Sequence, residues 1–258
     1  KPLWTFELDF EQNLKIVRMC VAADKKVIFP STSEVYGMST DTVLKEEESP
    51  LIVGPINKMR WIYSCGKQMM DRVIVAYGQE KGLRYTLFRP FNWIGPRLDT
   101  FKDAEERTAR SITQMVYDVL SGRGITLVNG GEQMRSFTHI SDGVAALMAI
   151  LADEKASNGK IFNIGNPANN ASIKELAHII INVMKEIPSF REAAEKTTVT
   201  VMPAEQYYGN GYDDMKNRVP SIQAIGAALG WKPLVPLREA VAMTVASYLD
   251  SGEVSTRG

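Results

Sequence analysis

A chain of 258 residues with 45% apolar content can bury a substantial core, as one large domain or as a main domain with a small appendage. Thirty Lys and Arg balance thirty Asp and Glu with no long block of like charge, which excludes a nucleic-acid stripe or a polybasic membrane patch and leaves small molecules or other protein chains as partners. Two cysteines, Cys20 and Cys65, fit a reducing compartment and are read as buried thiols; no apolar run is long enough to span a bilayer and KPLWTFELDF lacks the order of a signal peptide, so a soluble cytoplasmic protein is expected.

From Phe6 to Ala22 the apolar residues Phe10, Leu14, Val17 and Val21 recur at helical spacing, and the β-rich run KVIFPST follows. A second helix, YSCGKQMMDRVIVAYGQEKG, closes on Gly82 as its C-cap, and the strand RYTLFRP closes on Pro90. Strands alternating with helices of this length predict an α/β fold, a doubly wound parallel sheet with helices on both faces. A helix is then expected over 108–120, followed by the strand ITLVN, the segment GGEQMRSFTHI and the helix SDGVAALMAILADE with Ser141 as N-cap. After KIFNIGN, the spacing of Ser172 and Glu175 predicts a capping box at the start of SIKELAHIIINVMKEI. The strand TTVTVMP, the irregular stretch YYGNGYDD and helices after Pro220 and Pro236 complete the pattern. A soft boundary falls near residue 91, with some later strands expected to rejoin the main sheet.

A complete dinucleotide-binding unit begins with strand, glycine-rich turn and helix, where backbone amides receive a pyrophosphate. No such fingerprint occurs in these residues, which open on a helix, so the first β-α-β units are expected to be missing from this chain.

Tyr63 and Lys67, four apart on the second helix, share a face and can approach one ligand. A free phenol has a pKa of about 10, and a cation at about 4 Å is worth up to about 4 kcal/mol at an effective dielectric near 20, roughly three pKa units. Half of that shift already makes a general base for a sugar hydroxyl. The same spacing arises by chance in many helices, so its neighbours decide its meaning. Upstream, FPSTSEVYG places Ser31, Thr32, Ser33 and Glu34 at the carboxyl end of a strand, where ligands bind in open α/β sheets. Downstream, LFRPFNWIGPRLD ends a second strand on polar and glycine residues. Singly these are a serine-rich turn and a proline-bounded loop. Together they set a hydroxyl cluster, a Tyr-Lys helix and an Arg-Pro-x-Asn turn in succession.

The order STSEVYG, Tyr63-x-x-x-Lys67 and FRPFNWIGPR resembles the extended short-chain dehydrogenase/reductases that act on nucleotide sugars, which belong with the NAD-dependent epimerases and dehydratases. More narrowly, NKMRWIYSCGKQMMDR, LFRPFNWIGPRLD, FNIGNPANNASIKELA and YYGNGYDDMKNRVPSI are similar to the UDP-glucuronic acid decarboxylase domain of bifunctional polymyxin-resistance proteins of the ArnA type. This resemblance implies a Rossmann-like fold, with residues 1–90 as the C-terminal part of the NAD-binding domain and 91–258 as mainly a smaller UDP-sugar-binding region. It implies NAD-dependent oxidative decarboxylation of UDP-glucuronate to UDP-4-keto-pentose, carbon dioxide and NADH, in the 4-amino-4-deoxy-L-arabinose modification of lipid A. A homo-oligomer is implied as well, and a formyltransferase domain on the full-length chain; that half is absent from these residues.

By the same resemblance Tyr63 takes the hydroxyl proton as hydride leaves for NAD, while Lys67 lowers the tyrosine pKa and holds the nicotinamide ribose. Ser33 bonds the reacting oxygen, and Thr32 touches both cofactor and sugar. Glu34 and Arg218 flank the carboxylate and the carbon that is reprotonated, a guanidinium being able to grip a planar carboxylate with two parallel hydrogen bonds. Outside the family pattern Arg218 reads as a solvated surface arginine. Arg60 is a sugar-side contact, Asn92 lies near sugar and diphosphate, and Arg110, Thr126, Arg135 and Tyr212 serve the diphosphate and uridine. Two positions depart from the pattern: Gly66 stands where these decarboxylases usually carry serine and related UDP-xylose synthases often carry glycine, and Thr126 stands where a lysine is expected.

Three other readings stay open on sequence: a UDP-xylose synthase that reuses its NADH, another nucleotide-sugar epimerase or dehydratase, and a UDP-sugar-binding module unable to bind NAD. His139 and His178 lack the cysteine or clustered acids of a metal site, and Met69, Met70 and the stripe LAHIIINVM are read as packing.

Overall fold

The computed structural model describes residues 2–208, 215 and 218–250. They form two compact units, one of residues 1–91, 143–167 and 211–233 and the other of residues 92–142, 168–210 and 234–258.

The first unit is built on three parallel strands, β1 (Val27–Pro30), β2 (Tyr85–Pro90) and β3 (Lys160–Ile164), in the order β1-β2-β3. Val27 pairs with Tyr85 and Thr86 with Lys160, so the strand after residue 91 that joins this sheet is the run KIFNI. Helix α1 (Asn13–Ala22) precedes β1, and α2 (Trp61–Lys81) connects β1 to β2. Val17 from α1 and Met70 and Ile74 from α2 meet Val27, Phe29 and Leu87 of the strands in one apolar cluster, with Phe10, Leu14 and Val21 packed on its edge. Those are the positions whose helical periodicity predicts a buried face. Gly82 ends α2 in the left-handed conformation, at φ 70°, as its C-cap reading requires. A seven-residue helix, α3 (Gln223–Leu229), follows Pro220.

The helix expected over residues 6–22 is not uniform. Pro2–Phe6 is α-helical, Glu7–Gln12 forms a π-helical stretch, and α1 resumes at Asn13. The Asn13 side chain supports the wider turn by donating from Nδ2 to the carbonyls of Asp9, at 3.0 Å, and Leu8, at 3.4 Å. The apolar positions that mark this helix begin only at Phe10, late in the π stretch, so their period does not register it, and π turns of this kind recur at functional sites.

After β1 the chain turns through a 310 helix, Ser33–Tyr36, capped by the Thr32 hydroxyl, which accepts from the Glu34 amide at 3.2 Å. Gly37 follows at φ 56°, where a Cβ would run into the carbonyl of Ile52, so only glycine lets the turn close against that strand-like segment.

The second unit has three two-stranded pairings: Trp93–Ile94 with Thr138–His139, Ile125–Val128 with Val199–Met202, both parallel, and Met134–Ser136 with Asn170–Ser172, antiparallel. Helices Ser111–Leu120, Ile173–Glu186, Pro188–Lys196 and Leu237–Asp250 enclose a core that includes Val116, Leu176, Ile180, Phe190, Val241 and Val245. Ser172 and Glu175 form the capping box that their spacing predicts, an arrangement worth about 1 kcal/mol. Ser141 is not an N-cap: the helix Ile140–Ala152 begins one residue earlier, and the Ser141 hydroxyl instead meets Nδ1 of His139 at 2.7 Å.

Three packing expectations are corrected. Cys20 on α1 is only half-buried, and on α2 Cys65 is exposed and Met69 faces out while Met70 is fully buried, because α2 presents only one stripe to the sheet. Among the described residues no helix is long and apolar enough to cross a membrane.

Candidate functional site

The carboxyl ends of β1 and β2 and the first turns of α2 bring the predicted polar residues of the first unit together. Ser31, Thr32 and Ser33 are all buried, just beyond β1. The Ser31 amide donates to the Phe88 carbonyl at 2.9 Å and so continues the parallel ladder, while its hydroxyl donates to Asp71 Oδ2 at 2.9 Å. The 310 turn then carries Ser33 and Glu34.

Glu34 lies between two guanidiniums. Arg60, the residue before α2, donates from Nη2 to Glu34 Oε2 at 3.0 Å, and Arg218 donates from Nη1 to Glu34 Oε1. Arg218 is only 5% exposed, which removes the reading of a solvated surface arginine. A buried guanidinium demands a carboxylate or carbonyl partner, and the acid supplied here is an adjacent residue of the serine turn.

Tyr63 and Lys67 share a face of α2, the Lys67 ammonium lying 5.8 Å from the Tyr63 ring centroid. The ammonium is buried, donates to the Pro30 carbonyl at 3.1 Å, and pairs with Asp9 Oδ1 at 3.2 Å. It also stands 4.9 Å from the centre of the Phe29 ring. An ammonium has three donors. One is given to the Pro30 carbonyl, and Asp9 neutralises the ammonium as an ion pair at the end of β1. A cationic donor of this kind could hold a ribose diol such as that of NAD.

A second layer supports this arrangement. Asp71, one turn beyond Lys67 on α2, accepts from Ser31 and from Arg89 Nη2, the latter at 3.2 Å. Arg89 of β2 also donates from Nη1 to the Tyr36 hydroxyl and to the Glu46 carbonyl, each at 3.0 Å, and Tyr36 donates to Asn163 Oδ1 of β3 at 2.8 Å. Burial pushes the Asp71 carboxyl up, with Arg89 and Ser31 pulling the other way, and burial likewise pushes the Tyr36 phenol up. The sequence reading missed Asp9, Asp71 and Tyr36 altogether. Asp71 was open to discovery, since Tyr63, Lys67 and Asp71 continue one four-residue spacing; nothing in the pattern around Asp9 marks it.

The remaining predicted residues lie in the second unit. Asn92 adopts a left-handed conformation, at φ 38°, and donates from Nδ2 to the Ser136 carbonyl at 3.2 Å. Arg135 is buried in the strand Met134–Ser136 and donates to the Met134 carbonyl at 2.8 Å. Arg110 was expected inside a helix over 108–120. It precedes the helix in extended conformation because Asp99 binds both its amide, at 3.1 Å, and its guanidinium, at 2.7 Å. Thr126 lies on the strand Ile125–Val128 with its hydroxyl 3.5 Å from that of Thr200. Tyr212 lies outside the described residues.

Gly66, one residue before Lys67, is buried in the helix, yet a Cβ there would have no neighbour within 4 Å beyond the local helix backbone. The position therefore has room for the serine that the resemblance leads one to expect.

Residues 1–165 match the family described as NAD dependent epimerase/dehydratase. Among solved structures, the PbgP3 protein of Burkholderia pseudomallei is 44% identical with a TM-score of 0.85, over 96% of this chain and 70% of that one. The UDP-glucose 4-epimerase of Thermotoga maritima, in a structure with UDP-glucose, is 20% identical with a TM-score of 0.77, over 97% of this chain and 72% of that one. The dTDP-glucose 4,6-dehydratase of Bacillus anthracis, in complex with NAD, is 20% identical with a TM-score of 0.76, over 96% and 70%. The last two likenesses establish the Rossmann-like fold alone. Family match and the 44% relative together make this chain an enzyme of the NAD-dependent epimerase/dehydratase family.

Proposed function

We propose that this enzyme oxidises UDP-glucuronate at carbon 4 and releases its carboxyl group, giving UDP-4-keto-pentose, carbon dioxide and NADH. The observation that carries the reading is the buried guanidinium of Arg218, which together with Arg60 holds the carboxylate of Glu34, the residue after Ser33. Epimerisation or dehydration of a neutral hexose makes no use of an arginine fork for a carboxylate; a uronic acid does. An incoming uronate competes with Glu34 for Arg218, and the displaced Glu34 is then a carboxyl group near the sugar.

NAD, when bound, supplies the hydride acceptor. Lys67 would hold the ribose and, as a cation on the same helical face, favours the phenolate of Tyr63. Tyr63 takes the proton of the 4-hydroxyl, and Ser33 donates a hydrogen bond to the oxygen as it becomes a ketone. That ketone is β to the carboxylate, so the electron pair of the breaking carbon–carbon bond flows into the carbonyl as carbon dioxide leaves. Glu34 and Arg218 flank the carbon that is then reprotonated. Thr32 and Arg60 contact the sugar, and Asn92, Arg110, Thr126, Arg135 and Tyr212 take the diphosphate and uridine.

The fold is shared with structures that hold UDP-glucose and NAD, which supports a nucleotide sugar and NAD as the two ligands. The resemblance in sequence to the ArnA-type decarboxylases supports the step in the lipid A modification that gives polymyxin resistance, on a homo-oligomer in the cytoplasm. Substrate preference tests the reading: with the full-length protein and NAD, NADH absorbance grows with UDP-glucuronate and not with UDP-glucose. Equal rates with the two sugars would remove the carboxylate from the recognition and the reading with it.

A further inference from the structure

The Tyr63–Lys67 pair is read from sequence as a phenol beside an uncompensated cation. The structure places a carboxylate on that cation: Asp9 Oδ1 is 3.2 Å from Lys67 Nζ, with both side chains largely buried. Asp9 reaches it from the π-helical stretch Glu7–Gln12, the one departure from α geometry in the first helical segment. Its neighbours Glu7 and Glu11 point into solvent, so the turn brings one of three acids onto the lysine. An added residue in a helix turns the following face by about a quarter-turn, and such turns are retained where a side chain must be re-aimed.

We propose that Asp9 is a positioning residue that fixes the Lys67 ammonium and sets how much of its charge reaches Tyr63. The inference rests on the reading of Tyr63 and Lys67 as the acid–base pair. A carboxylate in contact with the ammonium offsets part of its field at the phenol, so the phenol pKa is held above the value that a lone lysine would impose. It also gives the ammonium an ion-pair partner besides the Pro30 carbonyl, which holds its position at the end of β1. A base whose pKa stays close to working pH gives back its proton as readily as it takes it, which suits a group that abstracts a hydroxyl proton and must be reset each turnover.

The other ionisable groups facing this end of α2 are accounted for. Asp71 on α2 also feels the Lys67 charge but is hydrogen-bonded by Ser31 and by Arg89 of β2, and Glu34 of the 310 turn is bound by Arg60 and Arg218. From α1, Arg18 reaches Tyr77, far along α2, and Pro2–Phe6 contains no charged residue. Asp9 is thus the acid paired with Lys67 itself.

Ultraviolet difference titration tests the proposal without any sugar. The wild type, Asp9→Asn and Asp9→Glu proteins are each titrated against a partner that also carries Tyr63→Phe, so that the difference isolates the Tyr63 phenol. Asp9→Asn is expected to lower the Tyr63 midpoint by about one pH unit, and Asp9→Glu to restore it. The acid limb of the kcat/KM profile for NADH formation should move down with it. An unchanged Tyr63 midpoint in Asp9→Asn, with only the melting temperature reduced, would make Asp9 a structural residue and overturn the proposal. If the midpoint moves as expected but UDP-glucuronate yields no NADH, the substrate reading fails and the role of Asp9 stands.

Discussion

Arg218 and Glu34, distant in sequence, are joined by a hydrogen-bonded ion pair in which the arginine is almost fully buried. Removing the guanidinium takes one arginine from Glu34 and takes away the group that the account assigns to the substrate carboxylate. Arg218→Met is expected to lower the rate of carbon dioxide release at least about a hundredfold, while NAD affinity measured by fluorescence stays within about twofold. Retention of full decarboxylation would remove Arg218 from the site.

Asp71→Asn tests the support beneath the site. Asp71 and Arg89 are both buried, and neutralising the acid strands a guanidinium away from water, a change that costs about 3–5 kcal/mol when one partner of a buried pair is lost. Urea denaturation should show a loss in that range, and the double variant Asp71→Asn/Arg89→Met should recover part of it. A loss below about 1 kcal/mol would show that the pair contributes little.

How far the sequence revealed this architecture depends on what each device leaves in the pattern. Helix α2, its Gly82 cap and the Ser172 capping box were legible because side-chain period and capping chemistry are local. So were β1 and β2, as short β-rich runs after helices, whereas KIFNI was not singled out as the third strand. The π turn at Glu7–Gln12 was not legible, since the apolar positions that give this helix its period, Phe10 to Val21, begin only late in that turn. Arg110 was assigned to a helix for want of any local signal from Asp99, eleven residues away, which holds it extended. The buried set of Asp71, Arg89, Tyr36 and Asn163 joins four segments, and no spacing along one chain announces such a contact.

His139 makes stability depend on pH in a direction that can be worked out. Burial holds its imidazole below the ordinary value of 6.5, with Asp142 and Glu239 opposing. Nδ1 accepts from the Ser141 amide at 3.3 Å, and the buried Nε2 has no hydrogen-bond partner among the described residues. The folded-state pKa is depressed, so the unfolded chain takes up the proton first. The stability due to neutral His139 is present above about pH 6.5 and is lost as pH falls through the folded value. Melting temperatures from about pH 7.5 down to about pH 5 should fall more steeply for the wild type than for His139→Gln. Parallel curves would contradict the assignment.

Gly66→Ala should stabilise the enzyme. A Cβ at this position meets nothing within 4 Å apart from the local helix, and alanine is favoured over glycine in a helix interior by about 1 kcal/mol. Calorimetry should show a rise in melting temperature of about 2–4 °C. A decrease would mean that the open space next to Lys67 is not available to a methyl group.

The most direct test of the central claim is a product balance on UDP-glucuronate labelled with carbon-13 in its carboxyl group, incubated with the full-length protein and NAD. The account predicts labelled carbon dioxide and NADH in equal amounts, with a UDP-4-keto-pentose as the remaining product. Conversion of the sugar with the label still on its carboxyl group would contradict it.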